Sequence, residues 1–511
     1  MNKKTLIISI SVVLLLAGVF LTLYFTQSRT DSLLSQLEED EVSGKKLPEA
    51  TLTFYFNGSE PRETREVLDQ IESKLRNTLN IKLIFKFINT SPEAYLENIK
   101  NLTASKQACD VFYYSDSFFK GLQSLAQDGL ARDITADFPR HAPNYYRSFS
   151  QEELKAASVD GRIYIIPQRV PSSQTRCAIV REDLMNKYHL RDIQNYDDFE
   201  AYLKAVKTGE PGMIPLTYYD TTYGLFAEPS GYVMLNYPLG LVYRLDDPVM
   251  KIIAWEQTPE FRKGVETISR WYNSGYLLKG MAVAPPEDTV ISSGKWASYI
   301  GSWGTDVWWN SVLQSRNITW RYKAYPLSPA ANISRDWAIN GALVIHSKSK
   351  NAARVLQFIN WIQSKQENYD TFMYGIKGKH YLLEDQSVKL PTGIEQEQSF
   401  YNWAWRWPLR NINWERLDSS SSMDAQRDYY TTLKTKAKFP PHLGFVPDFG
   451  PVSDIVNIRQ LSYYDIDLQI YSGTNIYQNL DAYIQEKKQQ GADKLVAEIQ
   501  RQLDKWRTRK K

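Results

Sequence analysis

The side chains that could take part in acid–base chemistry are spread along the chain without a local catalytic pattern. The five histidines lie far apart, and no Gly-x-Ser-x-Gly elbow, His-Glu-x-x-His zinc motif or glycine-rich phosphate loop is present. A carboxylate pair for glycoside hydrolysis could still form, because its members need only lie about 5 to 10 Å apart in space. We therefore expect binding rather than catalysis, with no catalytic residue, metal or cofactor. The carboxylates considered for the alternative are Asp116, Asp220, Glu228 and Glu256.

Polar and aromatic residues follow two predicted strands near the start of the globular region. Apolar runs at 52–56, 81–88 and 110–114 predict strands, and the apolar spacing in 63–79 and 92–102 predicts helices between them. Such alternation is typical of an open, mostly parallel sheet, whose ligands bind beyond the carboxyl ends of the strands. The residues at those ends are either ligand contacts or ordinary turn residues. They are Phe56, Asn57, Ser115 and Asp116.

A further strand, turn and helix are predicted in residues 335–364. The apolar run 339–345 predicts a buried strand, and apolar residues recur at helical spacing from Val355 to Ile362. Asn351 is the predicted N-cap, because its side-chain oxygen can accept a hydrogen bond from a free backbone N–H of the first turn. A strand that leads into a covering helix is the building block of an α/β lobe.

Length and composition indicate a large globular protein without a nucleic-acid partner. A chain of 511 residues is expected to form two lobes of roughly 200 residues each. Its 61 basic and 58 acidic residues give a net charge of +3, which offers no basic surface for nucleic acid. The 14 tryptophans and 33 tyrosines suit faces that hold ligands with apolar planes and polar edges. Cys109 and Cys177 are either two buried thiols or one disulfide.

The N-terminal segment predicts attachment to the outer face of a membrane. After two lysines, residues 6–25 carry no charge and are long enough to cross roughly 30 Å of hydrocarbon as a helix. Lysines before the apolar segment favour a cytoplasmic N-terminus, so the remainder is expected outside the cell. Residues 1–28 are therefore predicted to be an uncleaved signal anchor or a cleaved signal peptide, and residues 29–50 a solvated linker.

Several motifs occur in an order that is typical of one protein family. Residues 160–167 form a glycine-led strand that ends in proline, and 177–184 form a strand that opens a helix. Trp337 and Asn340 precede the later strand, and an aromatic run occupies 401–408. From about residue 50 to the end, the chain resembles the family 1 extracellular solute-binding proteins of ABC importers. Within that family it is most similar to the branch of large saccharide-binding lipoproteins.

The resemblance implies a two-lobed, periplasmic-binding-protein-like α/β fold of type II. Each lobe would be a mostly parallel sheet flanked by helices. The family's lipid-anchoring cysteine is missing, because Gly18 is followed by Val19, so an N-terminal transmembrane helix would be the anchor. The first lobe would comprise 51–172 with about 335–392, the second 173–334 with about 393–470, and 471–511 would be C-terminal helices packed on the lobes.

The resemblance also implies a ligand site in the cleft between the lobes. Gln168 and Arg169 follow the crossover strand, where they would line the hinge or lie in a solvent-exposed loop. Trp303 ends a predicted strand at a position where the family places a ligand-facing residue. Tryptophan rings would stack on sugar faces, although such residues also occur in cores, and polar groups would bind hydroxyls. The expected set is Phe56, Asn57, Ser115, Asp116, Gln168, Arg169, Tyr219, Trp303, Trp337, Asn340, Trp403 and Trp405.

The function implied by the resemblance is capture and delivery of a solute. A monomer on the extracellular face of the cell membrane would close on an oligosaccharide and pass it to the transmembrane subunits of an ABC permease. Two alternatives stay open at this stage. One is a cell-surface carbohydrate-active hydrolase, and the other is the ligand-sensing subunit of a membrane signalling system.

Overall fold

Two lobes and a C-terminal helical region make up the described part of the chain. None of the helices within it is both long and apolar enough to span a membrane. The predicted signal anchor and most of the predicted linker lie outside the described residues. The computed structural model describes residues 47–115, 122–170, 172–173, 175–217, 226–236, 239–277, 287–329, 335–336, 341–384, 386–394, 400, 407–416, 420–459 and 480–509.

The strands are short and belong to several small sheets. Their bounds are β1 Ala50–Asn57, β2 Ile81–Ile88, β3 Val111–Tyr114, β4 Ser158–Val159, β5 Arg162–Ile163, β6 Ser172–Ser173, β7 Arg176–Arg181, β8 Tyr232–Asn236, β9 Leu241–Arg244, β10 Ile253–Ala254, β11 Ser298–Ser302, β12 Tyr322–Pro326, β13 Arg335–Asp336, β14 Ala342–Ile345, β15 Leu382–Glu384 and β16 Ser387–Lys389.

The α-helices cover the sheets and continue to the C-terminus. Their bounds are α1 Thr64–Leu75, α2 Pro92–Ala104, α3 Leu122–Gln127, α4 Asp137–His141, α5 Pro143–Arg147, α6 Gln151–Ala156, α7 Glu182–Lys187, α8 Tyr196–Gly209, α9 Pro259–Asn273, α10 Glu287–Ser292, α11 Thr305–Ser315, α12 Ala352–Ile362, α13 Gln366–Tyr374, α14 Ser420–Lys436, α15 Leu480–Gln489 and α16 Ala492–Arg509.

The first lobe is built on a sheet with the strand order β14-β3-β1-β2. Strands β2 and β3 both run parallel to β1, and β14 returns antiparallel to β3. The predicted succession of strands and helices in residues 50–114 is thus present. Because β1, β2 and β3 run the same way, their carboxyl ends share one edge of the sheet, where β14 begins.

The second lobe contains β7 with β11 and β12 on either side of it. Both neighbours run antiparallel to β7, so the expected mostly parallel sheet is wrong for these strands. The reason is connectivity, since β7 carries the chain away from the first lobe and β11 and β12 bring it back. Short parallel bridges join Ile214 to Trp296 and Thr217 to Tyr299. A second, antiparallel sheet has the order β10-β9-β8.

Two crossover segments pair with each other between the lobes. Strand β6 leads from the first lobe into β7, and β13 leads back toward β14. They run antiparallel, with Arg335 opposite Ser173 and Asp336 opposite Ser172. This two-stranded ribbon is where a hinge is expected in a two-lobed protein, since two of the connections between the lobes pass through it.

Residues 407–416 pack on the first lobe, although the sequence placed them with the second. Leu409 and Trp414 join the hydrophobic core of the first lobe. The Asn411 amide donates to Gln363 Oε1 of α12 at 2.8 Å. The buried Arg416 guanidinium pairs with Asp370 of α13 at 2.9 Å. These contacts join residues more than 40 positions apart in sequence, so no local pattern revealed the placement.

The C-terminal helices pack on the second lobe. Leu480 and Tyr483 of α15 lie against that lobe's main core. On α16, Leu495, Ile499 and Leu503 form a separate cluster with the strands of the β8–β10 sheet. Both helices lie within 471–511, the region where the family resemblance implied C-terminal helices.

The helix N-caps include local side-chain caps and one residue that is engaged over long range. Ser91 accepts a hydrogen bond from the Ala94 backbone N–H at 3.4 Å, and Thr258 accepts one from Phe261 at 3.2 Å. Asn351 does not cap α12 through its side chain. Its amide instead donates to the Thr51 carbonyl oxygen at 3.1 Å and to Asp110 Oδ1 at 3.2 Å.

The two cysteines are separate buried thiols, so the disulfide alternative is excluded. Cys109 precedes β3 in the first lobe, and Cys177 lies on β7 in the second. Burial raises the pKa of the Cys109 thiol to about 12, because the charged thiolate would lose its hydration. This thiol is therefore a packing residue rather than a reactive one.

Candidate functional site

Asn57 stands at the edge of the first lobe where the parallel strands end. It is the last residue of β1 and lies opposite Ile88 at the end of β2. Its Oδ1 atom is buried and has no hydrogen-bond partner among the described residues. A buried acceptor without a donor is unfavourable by about 1 to 3 kcal/mol unless a ligand or water supplies one. The predicted site residue Asn57 thus has an acceptor atom that is unused within the described part of the chain.

Phe56, the residue before it, belongs to the core and not to the site. Its side chain is 0% exposed. The ring centroid lies 5.0 Å from that of Phe85 and 5.8 Å from that of Phe87, both on β2. Successive residues of a strand point to opposite faces, which separates Phe56 from Asn57. The expectation that Phe56 contacts ligand is therefore wrong.

Ser115 and the start of β14 complete this edge. Ser115 follows β3 directly and is buried. The Gly341 backbone N–H donates to the Tyr114 carbonyl oxygen at 3.0 Å, which fixes the start of β14 beside the end of β3. The chain around Ile166 runs beside the same strand through a bridge to Leu343. Ser115 and the chain around Ile166 therefore lie near the same edge of the first-lobe sheet.

Arg169 lies at the hinge but serves mainly to join parts of the first lobe. Its Nη1 atom pairs with Glu153 Oε1 at 3.2 Å, and its guanidinium lies over the Phe149 ring at 5.5 Å. Its backbone N–H donates to the carbonyl oxygen of Arg410 at 2.8 Å. Gln168, next to it, is 1% exposed. Both side chains are thus largely buried next to the β6–β13 ribbon rather than in a solvent-exposed loop.

The second lobe presents its own edge to the hinge at the start of β7. Arg176 donates through Nη1 to the Ser302 hydroxyl at 2.6 Å, which ties β7 to the end of β11. The Trp303 backbone N–H donates to the Thr175 carbonyl oxygen at 2.9 Å. Thr217, which is fully buried beside β11, has a hydroxyl oxygen with no partner among the described residues.

Trp303, the predicted site residue of this lobe, is only partly buried. Its ring packs edge to face with Tyr429 of α14, at a centroid distance of 5.7 Å and an interplanar angle of 73°. The following residue, Gly304, has a φ of 94°, which favours glycine and turns the chain into α11. Trp303 therefore stands directly after β11 on the hinge side, partly exposed and packed in part against the core of this lobe.

The remaining predicted contacts cannot be placed against these edges. They lie outside the described residues and are Asp116, Tyr219, Trp337, Asn340, Trp403 and Trp405.

Two of the carboxylates considered for hydrolysis are described, and each faces an arginine. Glu228 Oε2 lies 3.9 Å from Arg176 Nε, and Glu256 Oε1 lies 2.9 Å from Arg459 Nη2. Each of these carboxylates therefore has a basic partner within this chain. Asp116 and Asp220 lie outside the described residues.

One cluster on the first lobe has donor types that could hold a metal, namely Glu63, Glu66 and His380. Lys379 Nζ already lies 2.9 Å from Glu63 and 2.5 Å from Glu66. His380 Nδ1 accepts from the Ile376 backbone N–H at 2.9 Å, so Nε2 carries the proton and donates to Glu63 at 2.8 Å. Because a lysine and a ring N–H occupy the carboxylates, the cluster is a network of ion pairs.

A cavity of about 330 Å³ separates the first lobe from the C-terminal region. The hairpin formed by β4 and β5 contributes Val159 and Asp160, and the opposite side contains Phe445 and Trp506, whose ring centroids lie 5.6 Å apart. No local motif predicted this neighbourhood, because its two sides are more than 280 residues apart in sequence.

Two α/β lobes whose strand ends meet at a double-stranded hinge define a cleft-type binding protein. Comparison with protein families shows the family to which this chain belongs. Residues 80–369, more than half of the 511-residue chain, match the family described as "Bacterial extracellular solute-binding protein", and the chain belongs to that family. Residues 441–508 match a second model, "Domain of unknown function (DUF3502)", which covers much of the C-terminal region.

Individual relatives are distant in sequence but match nine tenths or more of the chain. A carbohydrate ABC transporter substrate-binding protein of Streptococcus pneumoniae serotype 4 is 23% identical over 524 residues, covering 100% of this chain and 99% of that one. The N-glycan transport solute-binding protein NgtS of Streptococcus pneumoniae superposes with a TM-score of 0.71 at 21% identity, covering 90% and 100%. The same organism's FusA, solved with kestose, gives a TM-score of 0.57 at 17% identity, covering 90% and 100%.

Proposed function

We propose that this protein is the extracellular solute-binding component of an ABC importer for an oligosaccharide. Family membership supports solute capture. The carbohydrate ligand is supported by the relatives, since NgtS was solved with Man1GlcNAc and Man5GlcNAc and FusA with kestose. The type II arrangement is supported by the first-lobe strand order β14-β3-β1-β2, with the returning strand beside β3.

The observation that carries this proposal is the pair of groups on the two hinge-side edges. The first lobe offers a buried acceptor, Asn57 Oδ1, and the second offers a partly accessible indole, Trp303. Saccharides combine hydroxyl donors with apolar ring faces, so they match both groups. A sugar that touches both edges stabilises the closed arrangement of the lobes, because it gains its full contacts only there.

We propose further that the protein binds its sugar without breaking it. The family and the relatives, which are solute-binding proteins, support this, and Glu228 and Glu256 each face an arginine of this chain. The closed monomer would then dock on the transmembrane subunits of a permease. Residues 1–28 would hold it at the extracellular face of the membrane, and intact mass of membrane-extracted protein tests this. A mature start near Arg29 would contradict an uncleaved anchor.

Thermal unfolding of the full chain in detergent, with a saccharide panel, tests the proposed ligand class. The panel contains Man1GlcNAc, Man5GlcNAc, kestose and an alginate oligosaccharide, and each mixture is analysed for cleavage products. A ligand at 100 times its dissociation constant adds about 2.7 kcal/mol of stability, so the midpoint should rise by a few degrees. A rise with intact sugar supports capture. Cleaved sugar would make the protein an enzyme, and no rise with any saccharide would overturn the carbohydrate assignment.

A deletion strain separates import from sensing. Loss of the protein should abolish uptake of the sugar that raises the unfolding midpoint. Normal uptake in the deletion strain would overturn the import assignment and favour a ligand-sensing subunit.

A further inference from the structure

The long helix α14 contacts the Trp303 turn of the second lobe. Tyr429 packs edge to face against Trp303, and its ring also covers Gly304. A Cβ added to Gly304 would lie 2.7 Å from Tyr429 Cζ, closer than real side chains approach. Two features therefore require glycine at position 304. Its φ of 94° is unfavourable for other residues, and a side chain there would collide with the Tyr429 ring.

Helix α14 carries a second aromatic ring beside Tyr429. The Tyr430 ring centroid lies 5.1 Å from that of Tyr429, at an interplanar angle of 50°. The Tyr429 ring therefore packs against a neighbour on its own helix as well as against the Trp303 turn.

We propose that Tyr429 is a positioning residue that fixes the orientation of the Trp303 indole for stacking on a saccharide. This inference rests on the proposed function, and it names a residue outside the expected site. An indole that an edge-to-face partner already holds in place loses little rotational freedom when the sugar binds. The entropic cost of binding is therefore smaller, and stacking contributes more to the affinity. Tyr429 acts through Trp303 and needs no contact with the sugar itself.

A double-mutant cycle distinguishes this role from general packing. The full-length variants Trp303→Ala, Tyr429→Ala and the double variant are titrated with Man5GlcNAc and with kestose, beside Tyr429→Phe. The interaction free energy of an aromatic pair with this geometry corresponds to a change of about three- to tenfold in the dissociation constant. Tyr429→Ala should weaken binding by that factor in the wild-type background and have no effect in the Trp303→Ala background. Tyr429→Phe keeps the ring and should bind as the wild type does.

Asp428→Ala is the matched control, because Asp428 is exposed on the same helix. It should leave affinity unchanged. If Tyr429→Ala weakened binding equally in both backgrounds, the tyrosine would act independently of Trp303 and the inference would be overturned. Unchanged affinity in Tyr429→Ala, with wild-type protein binding the sugar, would overturn it as well.

A spectroscopic readout keeps this test separate from the proposed function. The difference between the near-UV circular dichroism spectra of the wild type and Trp303→Phe gives the contribution of the Trp303 indole. That contribution should be largely missing from the spectrum of Tyr429→Ala, because a mobile indole gives a weak signal. If neither probe sugar binds the wild type, the ligand assignment fails while this measurement still decides the positioning role. An unchanged Trp303 signal in Tyr429→Ala would overturn it.

Discussion

The Arg176 guanidinium donates to the Ser302 hydroxyl at 2.6 Å and faces the Glu228 carboxylate at 3.9 Å. Arg176 begins β7 and Ser302 ends β11, so this one side chain ties the first and last residues of adjacent strands at the hinge-side edge. The arginine was not among the expected site residues. The sequence feature that could have drawn attention to it is a charged residue at the first position of an otherwise apolar strand.

Arg176→Ala should destabilise the second lobe by about 1 to 3 kcal/mol, because it removes a partly buried ion pair and a hydrogen bond together. Denaturant unfolding measures this loss, and Arg176→Lys should recover only part of it, since one ammonium cannot serve both partners in the same way. Arg427→Ala is the control. Its ion pair with Asp424 is exposed on both sides and should contribute little. Equal effects of the two alanine variants would contradict the structural role of Arg176.

Asn57→Ala should weaken sugar binding about two- to tenfold without lowering the unfolding midpoint. The reason is that Asn57 Oδ1 has no partner among the described residues, so its removal breaks no acceptor contact in the unliganded protein. Calorimetric titration with the best saccharide of the panel measures the affinity. Asn89→Ala, at the end of the adjacent strand, removes an amide that already donates to Ser59 at 3.1 Å and serves as the control. A lower midpoint with unchanged affinity would show that Asn57 is structural.

Local patterns predicted those parts of the fold that local physics determines. Ser91 and Thr258 cap their helices through backbone groups three residues away. The parallel strands β1 to β3 followed from apolar runs separated by helical spacing. Asn351 shows where local patterns fail. Its amide donates to Asp110 and to the Thr51 carbonyl oxygen, both more than 200 residues away in sequence, and its side chain does not cap the helix.

The candidate site was predictable only as a set of strand ends. The rule that ligands bind at carboxyl ends selected Asn57 and Ser115 correctly as residues of one edge. It could not separate Asn57 from Phe56, since both faces of β1 are buried near its end and alternation alone does not show which face is core. Tyr429 was missed because its contact with Trp303 joins helix α14 to a turn more than 100 residues earlier.

Phe56→Ala should reduce the free energy of unfolding by about 3 to 5 kcal/mol, since it leaves a cavity among packed aromatic rings. The ring is fully buried and stacks 5.9 Å from Phe54 on the same strand. Phe56→Leu should lose less stability and bind the sugar with wild-type affinity. Denaturant unfolding and titration of the same preparations give both values. Weaker binding by a stable Phe56→Leu variant would return Phe56 to the ligand site.

His442 should make stability fall as the pH is lowered. Its Nδ1 atom lies 2.6 Å from the Tyr243 hydroxyl, and burial lowers the pKa of His442 to about 4 from the ordinary value of about 6.5. Because the folded pKa lies below the unfolded one, this contribution is complete above about pH 6.5 and is lost as the pH falls toward 4. Unfolding midpoints measured across that range should therefore drop in the wild-type protein.

The variant His442→Asn should flatten this profile, because its amide oxygen can still accept from Tyr243 but does not titrate. The exposed His189 is a matched control, since its φ of 50° is one that asparagine tolerates. His189→Asn should reproduce the wild-type profile. If the wild-type and His442→Asn curves ran parallel between pH 6.5 and 4, protonation of His442 would not be coupled to unfolding.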